Sequence, residues 1–503
     1  MRVFVLIFFL GFFILGLSIF RDYGISWDDP ISRNNGVVAY DYVTVQSSQL
    51  LTYVDRDYGT AFELPLVFVE KALRLTSTRD IYFMRHLVTF LFFFVGVVFF
   101  YLLAAKRFGS VLGLVGAAFL ILSPRIFADS FYNSKDIGLL SALIIAVYTM
   151  KYFLETMTWR RALLHAVVSA FVVDLRMPGI IIVGFTIGFF LLDWLFLPTK
   201  RSAWHQNFKY LLYYLLFFGL FAVVFWPYLW VNPVGNFIQA YRNLSQFTRW
   251  DDTLLYFGRY VKAKDLPWHY PFVWIAITTP IVYLVLFLAG LSSVVWRFGK
   301  HFVDSYRRYR DDLIFLSWFV VPILAVVLLR SIIYDGWRQL YFIYPGFLLT
   351  AILGVEAIRR QRVLFIAAAT AISVNALSVL LFMVFYHPYQ NLYFNVLAGS
   401  MERVKQNFEM DYYGLTFRKG LEYIARTDND PAITVFFSHG IQNTIDILAE
   451  KDKKRFVPQD KPEGAKYILT NYRWHPQEYG EELNRVYAVA VNGAIVMSVY
   501  KFY

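Results

Sequence analysis

Eleven apolar blocks of 12 to 24 residues, separated by short polar or charged runs, occupy the first 385 positions of the chain. Segments of that length and composition, repeated so often, describe a polytopic helical membrane protein. They fall at about 3–20, 86–105, 110–122, 137–154, 162–173, 177–197, 210–230, 272–295, 313–329, 339–356 and 362–385. The third and fifth are shorter than the roughly 17 residues of a straight crossing. The first has only Arg2 ahead of it and no small-x-small cleavage site, so it reads as an uncleaved anchor.

Composition agrees. Of 503 residues, 58% are hydrophobic, 20% aromatic and 17% charged, where soluble domains carry about 25% charged residues; the mean hydropathy is +0.48. A soluble enzyme is excluded. The chain has no Cys, which removes disulfides, thiolate nucleophiles and Cys-ligated metals.

The net charge of +12 matters by its location. Residues 386–503 hold 14 Lys+Arg and 14 Asp+Glu, so the whole excess lies in the apolar part. There it forms five clusters between blocks: Lys106 and Arg107; Lys151, Arg160 and Arg161; Lys200, Arg201 and Lys209; Arg297 to Arg310; and Arg359, Arg360 and Arg362. Short loops rich in Lys and Arg face the cytoplasm, and with the N-terminus inside all five do so. A nucleic-acid footprint is the weaker reading, and no nucleic-acid partner is expected. The same topology puts Arg21–Arg85, Ser123–Asp136, Asp174–Gly179, Val231–Pro271, Arg330–Arg338 and everything after Phe385 outside. Within the first of these, Ser32–Tyr53 and Ala61–Leu75 are amphipathic stretches suited to an interface plane.

Two domains are expected: residues 1–385 in the membrane, and 386–503 as a small extracytoplasmic α/β domain. Ile433–Phe437, Lys466–Thr470, Val486–Val491 and Ala494–Tyr500 read as strands, Phe417–Thr427 and Gly440–Glu450 as helices, and Asn492-Gly493 as a hairpin turn. There is no internal repeat, Walker loop, dinucleotide-binding glycine pattern or HExxH.

Charged residues at the ends of apolar blocks carry the functional signal. Trp27-Asp28-Asp29-Pro30 follows the first block, and adjacent carboxylates there repel and lose hydration. One suits a general base while its neighbour orients a substrate or ligates a cation; a helix N-terminus with Pro in its first turn is the alternative. Tyr132-Asn133-Ser134-Lys135-Asp136 opens the fourth block after Pro124-Arg125 and Asp129, where Lys135 and Asp136 could hold a phosphate and a sugar hydroxyl or merely cap a helix. Tyr334-Asp335-Gly336-Trp337-Arg338 opens the tenth, and the guanidinium fork of Arg338 matches phosphate oxygens unless it serves as a membrane-edge anchor. Asp174-Leu175-Arg176 is a similar case, while Glu63 and Arg85 are lone charges. His269, His387 and His439 have no metal-ligand spacing. Opposite charges from distant segments on one membrane face describe a site for a lipid phosphate.

These residues resemble those of the GT-C superfamily of glycosyltransferases, close to bacterial relatives of dolichyl-phosphate-mannose protein mannosyltransferases and aminoarabinose transferases. The resemblance covers roughly residues 1 to 415. It is carried by Asp28-Asp29, the run from Ser123-Pro124-Arg125 to Asp136, Tyr334 to Arg338, and His387-Pro388-Tyr389 with Tyr393-Phe394-Asn395. It implies transfer of one sugar from a polyprenyl phosphate to an acceptor hydroxyl on the non-cytoplasmic face, with inversion, in a bacterial inner membrane. Asp28 would match the catalytic carboxylate; the family's Asp-Glu is Asp-Asp here, so the register between Asp28 and Asp29 stays open. Asp136 would match the second-loop acid and Arg338 a phosphate-binding cation, with Lys135, Arg176, Arg85, Glu63 and Tyr132 as further substrate-binding residues. No cofactor is required; the paired carboxylates leave room for a divalent cation, but nothing demands one. The partners it implies are the polyprenyl-phosphate sugar, membrane lipids, and an acceptor that is a protein, lipid A, a glycolipid or an envelope polymer. A transporter or flippase for a lipid-linked or anionic substrate is the alternative; against it, the charges sit at one face and no inverted half-repeat is evident. A membrane-anchored binding protein is a third.

Overall fold

The computed structural model describes residues 1–503 apart from 246–249, 439–441, 481–482 and 503. In chain order its principal helices are α1 (Arg2–Ile19), α2 (Asp28–Thr44), α3 (Glu63–Ala72), α4 (Thr78–Phe108), α5 (Ser110–Ile121), α6 (Pro124–Tyr132), α7 (Ser134–Glu155) and α8 (Trp159–Leu175). They continue as α9 (Ile181–Phe196), α10 (Trp204–Phe225), α11 (Tyr270–Thr278), α12 (Ile281–Lys300), α13 (Phe302–Leu328), α14 (Tyr344–Ile358), α15 (Arg362–Phe385) and α16 (Phe417–Thr427). Among the described residues nine helices are long and apolar enough to cross a membrane, and the pair α5 and α6, bent by 67°, makes a tenth. The 17-residue α8 packs between α7 and α10. The chain is an integral membrane protein, and each expected span is helical, with one of them split in two.

Burial sorts these helices into layers. α7 and the stretch Arg338–Ile358 are 83% buried and form the centre, whereas α15, α1 and α10 are 6%, 11% and 17% buried and line the rim. Lipid tails are as apolar as leucine, so helices gain by close packing rather than by leaving solvent. Gly290 on α12 and Gly354 on α14 show how close: a Cβ at either would lie 1.9 Å from the Thr350 carbonyl oxygen or 2.1 Å from that of Leu286.

At one end of the bundle three of the five basic clusters meet acidic partners from neighbouring helices among the described residues. Lys106 pairs with Glu155 and Lys151 with Asp311, both at 2.6 Å. Arg107 and Arg297 share the fully buried Asp312, and Arg310 holds Asp193. Asp136 and Glu155 stand at opposite ends of α7, about 30 Å apart at 1.5 Å per residue, which separates this basic end from the site described below.

Two expectations need correction. Ser123–Asp136 is no loop, because Pro124–Tyr132 is the buried helix α6, with Pro in its first turn where no N–H is needed. The block 272–295 is broken at Pro280 into α11 and α12. Proline lacks an N–H, and the carbonyls left at the end of α11 are taken by Asn395: its Nδ2 donates to Ala276 and Thr279 at 2.6 Å, and its backbone N–H to Ile277 at 2.8 Å.

A two-stranded ribbon, β1 (Thr253–Tyr256) and β2 (Arg259–Lys262), precedes α11. After the last span, β3 (Ile433–Phe437), β4 (Phe456–Gln459), β5 (Tyr467–Thr470), β6 (Leu483–Val491) and β7 (Ala494–Phe502) form a five-stranded sheet. Its order is β4-β3-β5-β7-β6, with β3 parallel to β4 and β5 and the remaining pairs antiparallel. β4 was not expected. The β6–β7 turn is Asn492-Gly493 with φ of 45° and 86°, the left-handed pair a two-residue hairpin needs. The helix expected over Gly440–Glu450 begins outside the described residues, as does His439; its described part holds a 3₁₀ turn, Gln442–Ile447.

Candidate active site

Three acidic residues from three segments converge on one arginine. Arg338 stands at the start of the 3₁₀ turn leading into α14. Its Nη1 donates to Asp28 Oδ2 at 2.7 Å and to Asp136 Oδ2 at 3.3 Å, and its Nη2 lies 3.4 Å from Asp335 Oδ2. The guanidinium also faces the rings of Tyr334 and Tyr413, at 5.5 and 5.2 Å from their centroids. Asp28 begins α2 and Asp136 lies in the first turn of α7, whose cap is Asn133: the Asn133 side chain accepts from the Asp136 N–H. Asn133 Nδ2 contacts Asp129, Asp136 and the Tyr413 hydroxyl at 3.1, 3.0 and 2.8 Å. Asp136 also pairs with Arg176.

The adjacent aspartates have different surroundings. The Asp28 side chain keeps 21% of its surface open. Burial pushes its carboxyl upward, but the charges of Arg338 and Lys135 outweigh it and hold the group below the usual carboxylate value. Asp29 is buried and turned away, with Oδ2 accepting from the Ser26 N–H and Oγ at 2.8 and 2.9 Å. Burial pushes it up to about 7, against the opposing pull of that N–H and of Arg85. Of the two catalytic candidates, Asp28 is thus the one that faces Arg338, while Asp29 Oδ2 is engaged in the turn at Ser26.

Arg85, Glu63 and Tyr132, expected at the ligand, lie behind this centre instead. Arg85 and Glu63 form a buried ion pair, and Glu63 Oε1 accepts from the Ser134 hydroxyl at 2.5 Å, next to Lys135 and Asp136 in α7. The Tyr132 hydroxyl donates to Asp129 at 2.6 Å with its ring fully buried. These side chains hold the first turn of α7. Lys135 Nζ sits 5.1 Å from the Tyr58 ring centroid. Arg125, deeper in α6, donates to the Tyr393 carbonyl and stacks on Phe394 at 4.5 Å.

Beside Arg176 a cavity of about 490 Å³ lies between α9, α13 and the segment leading to Arg338. Ile181, Val321, Pro322, Ala325 and Leu329 give it an apolar wall, and Arg176, Tyr58, Tyr334 and Gln339 give it a polar end. The Gln339 amide makes no hydrogen bond among the described residues. Among the described residues no three His, Cys, Asp or Glu side chains are grouped as metal ligands.

Residue-type reasoning missed Tyr413 and Arg473, which reach the centre from the chain after the last span. Arg473 Nη2 donates to Asp335 Oδ1 at 2.8 Å. The adjacent tyrosines 412 and 413 were the one available signal for this region; an arginine in a charge-neutral domain gives none.

Residues 78–226 match the sequence model of the family described as dolichyl-phosphate-mannose-protein mannosyltransferase. Two solved structures of ArnT from Cupriavidus metallidurans superpose along the chain. The apo form gives a TM-score of 0.53 at 11% identity, and the form bound to undecaprenyl phosphate 0.51 at 12%; each covers 99% of this chain and 98% of the other. The apo oligosaccharyltransferase of Archaeoglobus fulgidus gives a TM-score of 0.48 at 10% identity, with 91% of this chain covering 65% of that one. Comparison with curated proteins gives no match. The fold is the GT-C architecture, membrane bundle and C-terminal domain included, and the chain resembles the mannosyltransferase family over the matched segment.

Proposed function

We propose that the protein is a membrane glycosyltransferase that moves one sugar from a polyprenyl-phosphate donor to an acceptor hydroxyl, with Asp28 as general base. The observation that carries it is Arg338, held by Asp28, Asp136 and Asp335 beside an apolar-walled cavity with Arg176 at its polar end. The ArnT structure titled as bound to undecaprenyl phosphate supports the donor class, as does the mannosyltransferase match. The prenyl chain occupies the apolar cavity, and the phosphate meets Arg176 and Arg338, with the Gln339 amide free to bond it.

The acceptor oxygen forms its bond to the anomeric carbon from the face opposite the phosphate. The bond from that carbon to the phosphate oxygen breaks, and its electron pair leaves with the phosphate; the acceptor proton passes to the Asp28 carboxylate. The phosphate monoester approaches two negative charges as it departs, so a cation whose pull grows with that charge lowers the barrier. When Arg338 shifts toward the phosphate, Asp28 loses its counter-ion and becomes more basic as the step requires it. The scheme uses the chain's own cations and no resident cofactor. By the inside preference of basic loops, the site and the domain after Phe385 face away from the cytoplasm.

The test is turnover of purified protein with a polyprenyl-phosphate sugar and cell-envelope acceptor fractions. Free polyprenyl phosphate should accumulate only with acceptor, Asp28→Asn should abolish release in a folded protein, and Arg338→Ala should cost on the order of 3 kcal/mol in kcat/KM. Full activity in Asp28→Asn removes the base assignment.

A further inference from the structure

On the transferase reading above, we propose that Arg473, from the C-terminal domain, is a positioning residue: it keeps Asp335 neutralised so that Arg338 is free to engage the donor phosphate. The juxtaposition is direct. Charges alternate in a line from Asp28 through Arg338 and Asp335 to Arg473, at 2.7, 3.4 and 2.8 Å, and the Glu409 carboxyl lies 3.7 Å beyond Arg473. Arg473, Asp335 and Glu409 are all buried, their side chains 6%, 9% and 3% exposed. In such surroundings a carboxylate holds whatever cation is nearest, because a buried charge left unpaired is strongly destabilising.

Arg338 therefore has a competitor for the phosphate. Without Arg473, Asp335 would have Arg338 as its one cation within salt-bridge reach among the described residues and would hold it back. With Arg473 present, Asp335 keeps a partner when Arg338 moves. The loop that delivers Arg473 is built for one geometry. Arg473 Nη1 donates to the Tyr412 carbonyl at 2.9 Å and Asn471 Nδ2 to the Asp411 carbonyl at 2.7 Å. Trp474 Nε1 donates to the Thr253 carbonyl of β1 at 2.8 Å. Tyr472 and Trp474, on either side, both have φ of 60°, a left-handed conformation that is unfavourable for a non-glycine residue and persists where the surroundings enforce it. Asp335 answers it with φ of 55° and is followed by Gly336 at 75°, whose N–H donates to the Tyr270 hydroxyl. Strained backbone meets on both sides of one ion pair, 138 positions apart in sequence.

The experiment measures the Kd for polyprenyl phosphate, and the donor KM and kcat, in full-length protein in nanodiscs. Arg473→Met should raise Kd and donor KM about tenfold with kcat changed far less. Adding Asp335→Asn should restore both constants, because the competitor is gone. Lys466→Ala, which breaks the Asp428 and Asp430 pairs at the opposite end of β5, should change neither. Arg473→Gln, which keeps a donor for the Tyr412 carbonyl, substitutes if the methionine variant fails to fold. Unchanged binding in the Arg473 variants overturns the inference. So does weakened binding that Asp335→Asn does not rescue, since a loop that merely docks the domain would show that pattern. Wild-type protein that binds the lipid phosphate but transfers no sugar would instead sink the transferase reading, leaving the binding comparison to judge Arg473.

Discussion

Asp28 and Asp29 share a peptide bond and differ in nearly everything else that governs a carboxyl group. Asp28 is held low by Arg338 and Lys135 against burial, whereas burial raises Asp29 to about 7 from an unfolded value near 3.8. An acid raised on folding favours the native state fully below its unfolded pKa, and that contribution is lost as pH rises through the folded value. Wild-type Tm should therefore carry a component that declines between about pH 4 and 7. Asp29→Asn, which still accepts from Ser26, should remove it, so that melting curves at pH 5 and pH 8 show the variant gaining on wild type as pH rises, with activity kept. Loss of turnover in Asp29→Asn with Asp28→Asn active would reverse the roles assigned here. Much of this centre was legible in sequence because a charge at the edge of an apolar block is costly, and Asp28, Asp136, Arg176 and Arg338 are such charges. Their order of contact was not: nothing in Asp-Asp says which carboxylate turns toward Ser26. Arg473 was invisible because a charged side chain in a neutral, soluble segment carries no such cost until the fold buries it.

Among elements, the break between α11 and α12 shows the limit of hydropathy. Both sides of Pro280 are apolar, so the block 272–295 reads as one crossing, and what decides otherwise is the supply of partners for the carbonyls at the end of α11. Asn395 provides them, which gives the Tyr-Phe-Asn run after the last span a structural role. Asn395→Ala should lower stability by about 1–3 kcal/mol, the cost of stranding buried carbonyls, as a drop in Tm with the Kd for polyprenyl phosphate unchanged. A drop in affinity without a drop in Tm would place Asn395 at the ligand. The β6–β7 hairpin is the opposite case: Asn-Gly flanked by alternating residues announces its own geometry, and the pairing of Val491 with Ala494 follows. β4 was missed because only four residues contribute and Pro458 interrupts them.

At the scale of the whole molecule, the basic end and the carboxylate–arginine centre lie at opposite ends of the same helices, and the arrangement has a clean test. The chain has no Cys, so one introduced cysteine is the one reactive thiol. With Cys in place of the exposed Lys209, a membrane-impermeant maleimide should label only after the cells are opened. In place of the exposed Lys461 it should label intact cells once any outer barrier is permeabilised. Labelling of both from one side would undo the topology. The wall of Ile181, Val321, Pro322, Ala325 and Leu329 carries a further consequence. A ligand reaching Arg176 along it diffuses in two dimensions, and what sets occupancy is its mole fraction among the surrounding phospholipids rather than its molarity. Swelling proteoliposomes with inert lipid, at fixed amounts of protein and donor per millilitre, should slow the reaction as surely as dilution slows a soluble enzyme.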